Sequence, residues 1–258
     1  MRKTVRSAQG SNRLLHLAVV DSTNAEAIRR AAAGADSGLW IVADEQTEGR
    51  GRSGRSWHSA PGNLYASLLL HLRCPPRTAQ QLSLVAGVAS IDALTGLTGC
   101  PIQEGGRLRL KWPNDILLDG AKLGGILIES TTLAMRRIGV VGIGINVASA
   151  PRALGRSATC LSALGEAPSR NTLLGALAVA IEDWLEVWRE GAGFSAVRRA
   201  WLERAGPAGE AISINTGTGP ISGTFLGLDE TGALLLRDDA GEEQRFTFGD
   251  VSLIGEER

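Results

Sequence analysis

Cysteine and histidine are scarce in this chain of 258 residues, three of each. Cys74, Cys100 and Cys160 lie far apart and make no CxxC pair, which excludes a disulfide framework and a zinc ribbon. His16, His58 and His71 have no metal-ligand spacing, so the residues predict no metal site in the protein. Net charge is missing too. The 27 basic side chains balance 27 acidic ones, which argues against a general polyanion binder. The apolar run nearest the start gives no membrane span. LLHLAVV at 14–20 is too short, and no small-residue cleavage site follows it, so a soluble cytoplasmic protein without membrane contact is expected. A GK[ST] step and a GxSxG elbow are both absent, leaving a Walker A loop and a serine hydrolase without support.

What is present is concentrated. Between Gly49 and Arg55, three glycines alternate with three arginines, a composition that suits neither helix nor strand. Glycine lets backbone approach a ligand closely, and arginine brings a permanent charge with a planar fork of donors. The formal GxGxxG match at Gly49, Gly51 and Gly54 is not a dinucleotide fingerprint. That motif opens a helix, whereas RSWHSAPGN here leads into another strand. Lys111-Trp112-Pro113-Asn114-Asp115 ends a strand at proline and projects an amide and a carboxylate from the strand end. Lys122 precedes the pair Gly124-Gly125 at the entry to an apolar strand, a place for a cation beside cleared space.

The coarse pattern is α/β. Asp21-Ser22-Thr23-Asn24 offers capping side chains for a helix that stops at Gly34. Strands are expected at 14–20, 38–43, 63–72, 107–112, 116–118, 123–129 and 137–147, with Asp119-Gly120 as a hairpin turn. Glycines 139, 142 and 144 in the last of these predict that something packs closely on it. Helices are expected at 78–97, 171–190 and 194–204, lying to one side of a mixed or antiparallel sheet. The first dozen residues read as loose. After a linker at 207–209, short strands near 211–215, 220–228, 233–237, 243–248 and 251–254 predict a small β-barrel.

DSTN (21–24), GRGRxGRxW (49–57), KWPND (111–115), KxGGILxE (122–129) and GIGIN (142–146) occur in that order, and together they resemble the biotin–protein ligases. The resemblance covers roughly residues 17–255. It implies a catalytic domain over 1–207 with the mixed sheet and helices of class II aminoacyl-tRNA synthetases, then an SH3-like barrel over 208–258. It also implies a reaction: biotin and MgATP give biotinyl-5′-AMP, and a lysine of a biotin carboxyl carrier protein then takes the biotinyl group.

By the same resemblance, Ser22, Thr23, Asn24 and Gln46 would meet biotin, with Arg50, Gly51, Arg52, Lys122, Gly124 and Gly125. The ATP side would comprise Arg50, Arg52, Arg55, Trp57, Lys111, Asn114, Lys122 and Asn146. Arg52, Lys111 and Lys122 would act in catalysis, and Asp115 would help the incoming lysine lose its proton. Elementary electrostatics fits such a reaction. Two unit charges ~4 Å apart repel by about 4 kcal/mol at an effective dielectric of about 20, and clustered cations offset this.

The chain has only about 20 residues before DSTN, so the expected type lacks a DNA-reading domain and binds no specific DNA, while a homodimer is compatible with it. A lipoate–protein ligase is the rival within the fold. A nucleic-acid module built on the arginine loop is the rival outside it, disfavoured by zero net charge and by the lack of stacking aromatics near the loop.

Overall fold

The structure, a computed structural model, describes residues 4–6, 13–100, 107–133, 135–151, 157–217 and 219–254. An eight-stranded mixed sheet forms the body. Its elements in chain order are β1 (Thr4–Arg6), β2 (Arg13–Val20), α1 (Thr23–Ala32), β3 (Leu39–Gln46), β4 (Leu64–Leu72), α2 (Pro76–Ala79) and α3 (Leu82–Thr98). Then come β5 (Leu108–Lys111), β6 (Asp115–Leu118), β7 (Ala121–Leu133) and β8 (Arg136–Ile145), followed by α4 (Arg170–Trp188) and α5 (Phe194–Leu202). The strand order is β1-β2-β3-β4-β8-β7-β6-β5.

Among these described strands only β2 and β3 pair in parallel, because α1 carries the chain back across the sheet between them. The crossover sets the N-terminus of α1 beside the C-terminal end of β3, where Val20 pairs with Gln46. The other neighbours in the sheet are antiparallel, and the turn at Asp119-Gly120 has both residues at positive φ (51° and 79°), as a tight hairpin requires.

Strand alternation divides the core. Ile41, Leu69, Ile138 and Val140 face α1 with Leu15 and Ala27. Trp40, Val42, Leu68, Leu70, Val141 and Ile143 point the other way, into a core shared with α3, α4 and α5. Helices therefore cover both faces, not one as the sequence pattern suggests; among the described residues, α1 supplies the second layer. Of the first dozen residues, expected to be loose, Thr4–Arg6 pair antiparallel with β2 at the sheet edge, and the others lie outside the described residues.

The apolar stretch expected as one helix at 78–97 is divided into α2 and α3. With the turn between them, Pro76–Thr98 meets the length and apolarity of a membrane span. Its apolar surface is instead taken up by α4, α5 and the sheet, as in a core helix that is hydrophobic all round.

The C-terminal segment folds as a five-stranded antiparallel sheet of β9 (Ala211–Asn215), β10 (Pro220–Leu228), β11 (Leu234–Asp238), β12 (Glu243–Phe246) and β13 (Asp250–Leu253). Ile212, Ile214, Phe225, Leu228, Leu234 and Leu236 join the same apolar cluster as α3 and α5. Polar ties cross the junction: Trp112 Nε1 donates to the Gly232 carbonyl (3.1 Å), and Arg109 pairs with Glu210 (2.6 Å).

Candidate active site

A cleft of about 200 Å³ opens where α1, β3, β7 and β8 meet the arginine loop and β13. Its two ends differ in chemistry.

One end is neutral. Ser22 caps α1, its hydroxyl accepting from the Ala25 amide. Thr23 donates to Gln46 Oε1 through both its amide (2.9 Å) and its hydroxyl (3.1 Å). Ser67, fully buried in β4, places its hydroxyl within 2.8 Å of Thr23 Oγ1 and 2.6 Å of Asn24 Oδ1. Asn24 donates onward to the Leu127 carbonyl (3.3 Å) and to Glu129 Oε2 (2.7 Å). The Asn24 amide lies against Gly142, where a Cβ would overlap it, so that glycine is required by space alone. The crossover of β2–α1–β3 delivers Thr23 and Gln46 to each other, which no local pattern states.

The arginine loop is a small hairpin closed on itself. Arg50 bridges Ser56, Gly51 N donates to the Arg55 carbonyl (2.6 Å), and Trp57 N donates to the Gly49 carbonyl (2.8 Å). Its root continues the parallel pairing, since Thr47 N and Glu48 N bond the carbonyls of Val20 and Asp21. Ser53 and Gly54 turn the tip at φ 55° and 71°. Trp57 then lays its indole over Gly125 and Gly144, which face each other across β7 and β8. A Cβ on Gly144 would come within 2.6 Å of the ring. The Lys122 ammonium sits 5.8 Å from that ring's centroid.

The other end is charged. Asp115, 8% exposed, ion-pairs with Lys122 and lies 3.6 Å from the Lys111 ammonium. Arg52 donates to Asn114 Oδ1 (3.3 Å) and to the Gly249 carbonyl (3.1 Å), with the Asp250 carboxylate 3.6 Å away. Arg55 also pairs with Asp250. Burial lowers the Arg52 pKa from its usual value against the pull of Asp115, with Arg55 adding to the lowering, yet a guanidinium stays charged at any ordinary pH. Asn114 is fixed by β7, its side chain donating to the Ile126 carbonyl (2.7 Å) while its own carbonyl accepts from the Ile126 amide (2.9 Å). The Trp112–Pro113 peptide bond that turns this segment is cis.

Of the residues singled out from sequence, Ser22, Thr23, Asn24, Gln46, Arg50, Gly51, Arg52, Arg55, Trp57, Lys111, Asn114, Asp115, Lys122 and Gly125 line this one cleft. Two do not. A Cβ on Gly124 would point at the Gly144 carbonyl and Ile145, into the sheet, because neighbouring residues of a strand face opposite ways. Asn146 is buried and spends its amide on the Thr159 carbonyl (3.0 Å), tying β8 to the segment after it. The three glycines of β8 behave as expected, meeting Leu72, Asn24 and Trp57 in turn.

Ser67, Asp250 and Tyr65 join the site without having been singled out by any motif, while Glu129, the last residue of KxGGILxE, was given no role and stands just outside the cleft. Ser67 interrupts the apolar run of β4, which is a legible signal. Tyr65 is buried, which pushes its phenol pKa up to about 12, and it donates to the Ala60 carbonyl (2.7 Å), holding the chain that returns from the loop. Asp250 carries no signal, since its partners lie almost 200 positions upstream. Among the described residues, no group of three or more His, Cys, Asp or Glu side chains is arranged to hold a metal ion.

Residues 17–146 match the Biotin/lipoate A/B protein ligase family, and residues 208–254 match the Biotin protein ligase C terminal domain. The chain is 42% identical to a biotin–[acetyl-CoA-carboxylase] ligase of Paracoccus denitrificans, over 88% of this chain and 95% of that protein. It is 35% identical to the ligase of the same name from Mycobacterium tuberculosis, over 96% and 91%. Among solved structures it resembles the biotin protein ligase of Aquifex aeolicus in complex with biotin and ATP. The TM-score is 0.76 at 31% identity, covering 95% of this chain and 99% of that one.

Proposed function

The chain belongs to the biotin/lipoate protein ligase family, and from that membership we propose that it joins biotin to ATP and then to a lysine of a biotin carboxyl carrier protein. The observation that carries this reading is the two-ended cleft: a wall of neutral hydrogen-bonding groups at one end and Arg50, Arg52, Arg55, Lys111 and Lys122 at the other. A ligand with an uncharged, hydrogen-bonding ring and a carboxylate tail matches that gradient. Biotin has this form, with its cyclic urea toward Thr23, Asn24 and Gln46 and its carboxylate toward Lys122.

In the first step a carboxylate oxygen attacks the α-phosphorus of ATP, and the bond to the bridging oxygen breaks, releasing pyrophosphate. Lys122 faces both reacting anions, while Arg52, Arg55 and Lys111 take up charge on the phosphates. Asn114 holds Arg52 in place. In the second step the amine of the acceptor lysine attacks the acyl carbon, AMP leaves, and the amine gives up a proton. In this reading that proton passes to Asp115, a carboxylate at the cleft wall between two lysines.

Mg²⁺ belongs to the proposal as a companion of the triphosphate. It is commonly bound through one or two carboxylates plus substrate phosphates, and Asp115, Asn114 and Asp250 are among the oxygen-bearing side chains at that end. Its chemistry there is neutralisation of phosphate charge. A cytoplasmic setting is supported by three free thiols, two of them buried. Biotin is favoured over lipoate by the match of residues 208–254 to the biotin ligase C-terminal domain.

ATP–pyrophosphate exchange run with biotin and with lipoate tests the reading. Exchange dependent on biotin is expected; exchange with lipoate alone would overturn it.

A further inference from the structure

Glu129 lines neither the neutral nor the charged end of the cleft, yet its two carboxylate oxygens reach toward both. Oε2 accepts from Asn24 Nδ2 at 2.7 Å, and Oε1 lies 3.5 Å from the Arg50 guanidinium. We propose that Glu129 is a positioning residue that holds the arginine loop in register with the neutral end of the cleft, an inference that rests on the activity proposed above.

Asn24 is the fixed point. Its side chain is buried at 3% exposure and fully committed: the oxygen faces Ser67, and the amide group donates to the Leu127 carbonyl and to Glu129. Gly142 beneath it leaves no slack. A carboxylate bonded to so fixed an amide is itself fixed, and its second oxygen becomes a rigid anionic mark at the edge of β7. Arg50 has a side chain about half exposed and a backbone bridge to Ser56 in its own hairpin, so this mark selects where the start of the loop rests. A path of contacts thus runs from Gln46 to the Thr23 amide, and from the Thr23 hydroxyl through Ser67, Asn24 and Glu129 to an ion pair with Arg50. A ligand that displaces or tightens groups at the neutral end acts on one end of a path whose other end is the loop that covers the phosphates. The ring of the small substrate is therefore recognised where it also sets the loop.

Two substitutions separate the halves. Glu129→Gln keeps an oxygen for Asn24 and removes the charge facing Arg50, whereas Glu129→Ala removes both. In biotin-dependent exchange, Glu129→Gln should leave the KM for biotin unchanged and release preformed biotinyl-adenylate about three- to fivefold faster, the scale of a partly exposed ion pair. Glu129→Ala should raise the biotin KM as well. In an Arg50→Gln background, Glu129→Gln should add nothing to the release rate. Wild-type release from Glu129→Gln, the same acceleration without Arg50, or a biotin KM that rises equally in both variants would each overturn the coupling. A wild-type protein inactive with biotin overturns the activity reading instead. Tryptic cleavage after Arg50, Arg52 and Arg55 then still decides the coupling: several-fold faster cutting in Glu129→Gln supports it, and an unchanged rate sinks it.

Discussion

The two ends of the cleft are built by different means. At the neutral end each group sits on or beside a regular element, is at least partly buried, and has bonding capacity taken up by protein: Ser22, Thr23 and Asn24 at the start of α1, Ser67 on β4, Gln46 at the end of β3. At the charged end Arg50, Arg52 and Arg55 sit on a hairpin loop and hold acidic partners, Glu129 and Asp250, that are partly open to water. The first is shaped as the sheet forms. The second is assembled from long side chains whose interactions are screened by salt and weak when exposed. Geometry thus serves recognition of the neutral ring, and field strength serves the anions, where placement need be less exact but charge must be ample.

The most severe way to break this contrast is Lys122→Ala. Lys122 is partnered by Asp115 and close to Trp57, so its loss removes a cation at the reacting centre and strips Asp115 of its nearer lysine. Biotinyl-adenylate formation should fall by about 10²–10³-fold, the scale of losing one strong transition-state contact, measured by single-turnover kinetics. A loss under tenfold would remove Lys122 from the reacting centre. Ser67→Ala attacks the neutral end. It strips the hydroxyl from two buried partners, at a cost of about 1–3 kcal/mol, and should raise the biotin KM by about ten- to a hundredfold with little change in kcat. An equal fall in kcat would show that this end is not confined to ground-state recognition.

Arg52→Ala tests the loop. It removes contacts to Asn114 and Gly249, and release of bound biotinyl-adenylate should quicken about tenfold, consistent with loss of charge-assisted hydrogen bonds. An unchanged release rate would contradict a retaining role. Raising salt from about 0.05 to about 0.5 M should have the smallest effect and sharpen the contrast most cleanly. ATP affinity should weaken severalfold through screening while biotin affinity, measured by calorimetry without ATP, should hold. Parallel weakening of both would erase the distinction between the ends.

What sequence discloses and conceals divides along the same line. The arginine loop, KWPND and the glycines of β8 are local signatures, and each takes part in the site or its packing. Concealed are the partnerships made by topology. That Ser67 lies under Thr23 and Asn24 comes from α1 crossing the sheet face, and the nearly unbroken apolar run of β4 reports burial without naming the neighbour. Asp250 meets Arg52 and Arg55 only because β13 lies at the edge of the second sheet beside the cleft. Gly124 and Asn146 show the converse: strand alternation turns one away from the cleft, and a backbone carbonyl engages the other.

The apolar cluster that runs from α3 and α5 into β9, β10 and β11 has a thermodynamic consequence. Were the five-stranded sheet to melt first, Leu110, Trp201 and Phe194 would lose neighbours, and the Arg109–Glu210 pair would be broken with both side chains mostly buried. Breaking such a pair is costly. Independent melting of the two sheets is therefore penalised at their shared boundary, and the chain should unfold as one cooperative unit. Differential scanning calorimetry would record a single endotherm whose van't Hoff and calorimetric enthalpies agree.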